Sequence, residues 1–181
     1  MTSAGLVVKF APMRPDLLAC LDAHWAAHLH CEPACLRNHD TNIVPDPNRT
    51  GAEVWLFDKT CVMTAAPPLA QTLKASVGRR SPVVAFEPGP LREVLSTFGL
   101  EIHGPEAVMV LADAVADGKD IQWIPISETD SELAAAIRVA ADTGIPVTAI
   151  PLRHRSARRA AETCGFVLYA SVIYIGEKPN L

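Results

Sequence analysis

The chain has 181 residues, 49% of them apolar and 20% charged, with a formal net charge of -4 and a pI near 5.8. That length fits one domain, or one domain with a small appended lobe, and the apolar content builds a core and excludes intrinsic disorder. The acidic balance argues against general nucleic-acid binding, which needs a broad basic field, and no apolar run reaches the ~18 residues of a membrane span.

The first ten residues, MTSAGLVVKF, lack a charged segment followed by a long apolar one, so no signal peptide is expected. Residues 6–10 read as an edge strand. Pro15 suits the first turn of a helix, where its missing N–H costs nothing. That helix carries Leu17, Leu21, Trp25 and Leu29 at a four-residue spacing, on one side. Pro33 interrupts it, and PACLRNH (33–39) predicts a short second helix. Residues 40–52 are turn-rich and predict a surface loop. VWLFD and CVMTAAP predict a hairpin turning at Asp58-Lys59-Thr60. PPLAQTLKASVG predicts a helix opened by proline and closed by Gly78, VVAFEP a strand, and PLREVLSTFG a helix ending at Gly99. HGPEAV places Pro105 at the start of a helix that stops near Gly118.

Residues 121–176 carry the clearest pattern: strand, helix, strand, helix, strand. IQWIPIS (121–127) and IPVTAIPL (145–152) are short apolar strands, with SELAAAIRVAADTG (131–144) between them, capped by Ser131 and stopped by Gly144. HRSARRAAETCG (154–165) is a basic helix and FVLYASVIYIG (166–176) a long strand. The alternation predicts an α/β or α+β fold. A boundary is placed between an N-terminal α/β lobe, 1–104, and a C-terminal half, 105–181, with one continuous domain as the alternative. Five cysteines, an odd number, fit reduced thiols and a cytoplasmic setting better than a disulfide framework.

Four groups of residues are candidates for chemistry. His24, His28, His30, Cys31, Cys35 and His39 are zinc- or copper-type ligands within sixteen residues. His24, His28 and Cys31 share one helix face at i, i+4 and i+7. The competing reading is packed cysteines and edge histidines. Arg153, His154, Arg155, Arg158 and Arg159 form a basic patch, either a solvated helix face or an anion-binding one. Glu128, Asp130 and Glu132 complement a helix N-terminus, and Glu128 is also a candidate general base. His103-Gly104-Pro105-Glu106 is either a turn or an acid–base site close to a ligand. Cys164, beside Gly165, fits buried packing.

The last third, from IQWIPIS through SARRAAETCGF to VLYASVIYIG, resembles the closing half of the GNAT superfamily of acyl-CoA-dependent N-acyltransferases. HLHCEPACLR, NIVPD, VWLFD and VMTAAPPL resemble the amino-terminal lobe of some bacterial members. The resemblance implies a GNAT-like mixed sheet flanked by helices, and acyl transfer from acetyl-CoA or another acyl-CoA to a small-molecule amine. It implies pyrophosphate contacts at Ser127 and Ser131, phosphate contacts at Arg153, Arg155, Arg158 and Arg159, and Glu128 as base. The junction at 127–131 has no glycine where the family carries a glycine-rich loop, and Ala161 stands where a tyrosine often does. A second reading is therefore a non-catalytic module on that scaffold that binds a ligand or a protein partner, with a homodimer as one assembly. A third is a zinc-binding protein using the histidine and cysteine cluster.

Overall fold

The computed structural model describes residues 13–116, 120–125 and 130–176, with the side chains of 130–132 outside the described set. The expected strand at 6–10 also lies outside it. The fold is α+β, with one mixed seven-stranded sheet in the order β1-β3-β2-β7-β4-β6-β5. The strands are β1 (Thr41–Pro45), β2 (Ala52–Phe57), β3 (Thr60–Ala65), β4 (Ile102–Leu111), β5 (Ile121–Trp123), β6 (Ile145–Pro151) and β7 (Phe166–Ile175). The helices are α1 (Pro15–His28), α2 (Pro67–Ser76), α3 (Pro82–Phe86), α4 (Pro88–Leu95), α5 (Asp130–Thr143) and α6 (Arg155–Thr163). No helix among the described residues is long and apolar enough to cross a membrane.

The parallel pair expected in the last third is present. Ile121, Gln122 and Trp123 of β5 run parallel to Ile145, Pro146 and Val147 of β6, and α5 crosses between them. β6 then runs antiparallel to β4, with Glu106 opposite Pro151, and β4 antiparallel to β7. β7 in turn pairs with β2, Ala52 opposite Ile175. One sheet therefore runs across position 104, which falls inside β4.

Helix α1 lies on one face. Its four-residue repeat is what buries it: Leu17, Leu21 and Leu29 are fully buried and Trp25 is 3% exposed. They pack on Trp55, Phe57, Val62, Val108, Val110 and Val172 of the sheet. Each such side chain withdrawn from water contributes roughly 1.5–3 kcal/mol. α2, α3 and α4 cover one half of the opposite face, with Leu69, Leu73, Phe86 and Leu91 against Val54, Leu56 and Met63. α5 and α6 cover the other half through Leu133, Ala161 and neighbours.

Four expectations are corrected. Residues 41–45 are not loop but the edge strand β1, parallel to β3 in a register from Thr41 opposite Cys61 to Pro45 opposite Ala65. Residues 82–86 form α3 rather than a strand, because Pro82 fixes the φ of a first helical turn and Ala85 and Phe86 turn inward together. Residues from 105 onward continue β4 rather than starting a helix. Pro105 sits where the β4–β7 register shifts between His103 and Glu106, so its missing N–H removes no ladder bond. The second helix shrinks to a 3-10 turn, Pro33–Leu36. The hairpin forms as expected, with Asp58 in the left-handed region at φ 50.

Candidate functional site at the carboxyl end of the parallel strands

The registers fix which strand ends lie together. Pro45 of β1, Ala65 of β3 and Pro151 of β6 are carboxyl ends, and they share one edge of the sheet with Ala52, Ile175 and Ile102. β5, parallel to β6, points the same way. In open α/β sheets, ligands bind outside the carboxyl ends of parallel strands.

At that edge, on the face that α1 covers, polar residues form a cross-strand row. Thr64 is opposite Glu53, Glu53 opposite Tyr174, and Tyr174 opposite His103. Glu106 is opposite Val172 on the same face. Glu53 and Glu106 are each 5% exposed, Tyr174 2%, and Thr64 not at all. The Thr64 hydroxyl is buried without a hydrogen-bond partner, as is the Trp25 indole N–H. Native proteins seldom leave such groups unsatisfied.

Glu53 is the hub. Its Oε2 accepts from the Trp55 indole N–H at 2.9 Å and lies 2.8 Å from His28 Nε2. Its Oε1 accepts from Arg49 Nη1 at 2.5 Å. Arg49 Nε also donates to Asp46 Oδ2 at 3.2 Å, and His30 Nδ1 lies 3.4 Å from that same oxygen. Burial pushes the Glu53 carboxyl up, but the bond and charge of His28, then the bonds from Arg49 and Trp55, outweigh it and hold the group at about 2. The Tyr174 phenol is pushed up by burial and then by the Glu53 and Glu106 carboxylates that face it. Glu53 and Tyr174 line a cleft of about 180 Å³ with Asn48, Arg49 and Gly51. Glu106 lines a second, of about 110 Å³, with Gly104, Pro151 and Arg153.

His28 is delivered by the last turn of α1. The aromatic packing beneath fixes its place. Trp25 and Trp55 have centroids 4.4 Å apart, with the His28 ring edge-on to both at 5.5 and 6.3 Å. Further along the helix, Asp22 accepts from Arg37 Nε at 2.9 Å and Nη2 at 2.5 Å, and from the Tyr169 hydroxyl at 2.8 Å. Arg37 lies over the rings of Phe57 and Tyr169. This network ties α1 to the sheet away from the cleft.

The sequence-predicted residues distribute unevenly. Arg153, Arg155 and Arg159 are exposed and Arg158 half-buried, at and after the carboxyl end of β6. A surface concavity of about 750 Å³ runs along α6 past Arg155, Arg158 and Arg159. Ser127 and Glu128 lie outside the described residues, as does the Ser131 side chain. His24 and His28 both sit edge-on to Trp25, but they and Cys31 have different polar partners. The His24 imidazole is pushed down by burial and by His28, His28 meets Glu53, and burial with the neighbouring Cys35 raises the Cys31 thiol to about 11. Among the described residues no group of three or more His, Cys, Asp or Glu is placed to hold a metal ion. His103 and Glu106 do face the site, though from a strand.

Glu53, Tyr174, Thr64 and Arg49 escaped the sequence reading. The signal available was one carboxylate inside AEVWLF, in register with Trp55 and Phe57 on every second position. A lone charge there shares the buried face of the strand. No family model, curated protein or solved structure matches the chain.

Proposed function

We propose that the chain is a GNAT-like acyltransferase-type protein, moving an acyl group from acyl-CoA to an amine. The observation that supports this reading is the cleft at the carboxyl end of β6, where Arg153 and Glu106 meet. The β6–α6 connection presents Arg153 at that cleft, and α6, on the opposite face of the sheet, carries Arg155, Arg158 and Arg159 along a separate concavity. Guanidinium forks of this kind match the phosphates of coenzyme A. Glu53, Glu106 and Tyr174 make a buried acidic and aromatic wall suited to an amine. Bound acyl-CoA supplies the electrophilic thioester carbonyl.

Isothermal titration with acetyl-CoA and desulfo-CoA tests the reading. Binding of both is expected, weakened by replacing Arg155 and Arg159 together. No heat at millimolar ligand would leave the fold without this activity.

One observation favours a second reading, a non-catalytic module binding a ligand or partner. Ala161, at the position where the resembled family often has a tyrosine, is 1% exposed and packed into the core under α6. That reading predicts acyl-CoA binding without turnover across a panel of amines.

A further inference from the structure

We propose that His28 is the proton acceptor of this site and that Glu53 is the residue that positions it. The geometry carries the assignment. His28 Nε2 faces the Glu53 carboxylate at 2.8 Å. A carboxylate in that position accepts, so a neutral imidazole must carry its proton on Nε2, leaving the Nδ1 lone pair free. Glu53 itself is poorly placed to act as base, since Arg49, Trp55 and His28 already occupy its two oxygens. Its side chain is 6% exposed, whereas that of His28 is 37% exposed. In this assignment the buried partner holds the ring, and the more open ring is the one left to meet a substrate. Trp25 and Trp55 restrict the ring further by edge-on contact.

Charge distribution agrees with an amine as the proton donor. Asp46 and Glu53 are buried carboxylates that share the Arg49 guanidinium. In the step proposed, the amine nitrogen forms its bond to the acyl carbon and the nitrogen–hydrogen bond breaks. The proton goes to His28 Nδ1. The thioester carbon–sulfur bond breaks with its electron pair leaving on sulfur, and the thiolate takes up the proton that the His28 imidazolium gives back through solvent, so charge and atoms balance. The positive charge that the ring gains is met by Glu53. The identity of the proton donor rests on the acyl-transfer reading; the tautomer of His28 does not.

The test begins on the unmodified protein without ligand. Long-range nitrogen–proton correlation spectra of histidine-labelled protein, assigned with His28→Gln, report the tautomer once the ring is neutral. The Nε2–H form is expected in the wild type, and a mixture of tautomers in Glu53→Gln. The Nδ1–H form in the wild type would overturn the dyad, and that result requires no variant to fold. In the presence of acetyl-CoA and an amine, His28→Gln is expected to lower turnover by roughly 10²–10⁴-fold, the range for loss of a general base, with acetyl-CoA affinity unchanged. Retained turnover would overturn the role of His28 and leave acyl transfer standing. Absence of acetyl-CoA binding to the wild type would instead remove the acyl-transfer reading and with it the catalytic role, while the tautomer still decides the dyad.

Discussion

Glu53 stays ionised although it is 5% exposed, because three donors compensate the loss of water. Its carboxyl is held at about 2, against an ordinary 4.5. A group with a depressed folded value stabilises the fold above its unfolded value. That contribution fades as pH falls from about 4.5 through about 2, and the shift corresponds to about 3 kcal/mol. Urea unfolding at neutral pH and near pH 3 should therefore show a loss that Glu53→Gln largely abolishes. An equal loss in the variant would assign the acid sensitivity elsewhere. Asp22 makes a separate case. Asp22→Ala leaves Arg37 half-buried without its carboxylate and Tyr169 without an acceptor. It should cost about 3–5 kcal/mol, whereas Tyr169→Phe should cost about 1 kcal/mol; urea midpoints at constant slope measure both. The sequence displays both acids, but their burial depends on partners 15 and 147 residues away for Asp22. Local pattern cannot reveal such pairings.

Helix α1 and the β5–α5–β6 unit were the elements most readable from sequence, and for the same reason. In α1 a four-residue apolar repeat agrees with a proline in the first turn, and in the β5–α5–β6 unit two apolar runs flank a helix stopped by Gly144. Where local signals conflict, tertiary packing decides the conformation. Val83 and Val84 favour a strand by propensity, yet both are exposed on α3 at 47% and 37%, and inward Ala85 and Phe86 decide the conformation. Gly104-Pro105 read as a helix start because nothing local announces that the following residues will be paired on both sides. Gly144 can be tested directly. A Cβ there would lie 2.4 Å from the Asp120 carbonyl oxygen and 2.2 Å from Gln122 Cγ. Gly144→Ala should therefore push β5 off β6, costing about 1–3 kcal/mol. Hydrogen exchange would locate the damage at the Ile124 N–H, which donates to Val147 O at 2.8 Å. Unchanged protection there would mean β5 absorbs the methyl group.

At the level of the molecule, the strand order could not be read in advance. β7 lies between β2 and β4, so the last strand joins the amino-terminal hairpin to the carboxyl-terminal unit. Such pairing depends on contacts far apart in sequence. It also assembles the site, because Glu53 and His103 meet only through Tyr174 of β7. Under the proposed function, ligand chemistry occurs at the sheet edge formed by the carboxyl ends of β1, β3, β5 and β6. Titration of nitrogen-labelled protein with acetyl-CoA, followed by amide and indole shifts, tests it most directly. Shifts are expected at Leu152 to Arg159, at Glu106 and Tyr174, and at the Trp55 indole bound to Glu53. Shifts confined to the opposite edge, around Leu111, Gly144 and Phe166, or none at all, would contradict it.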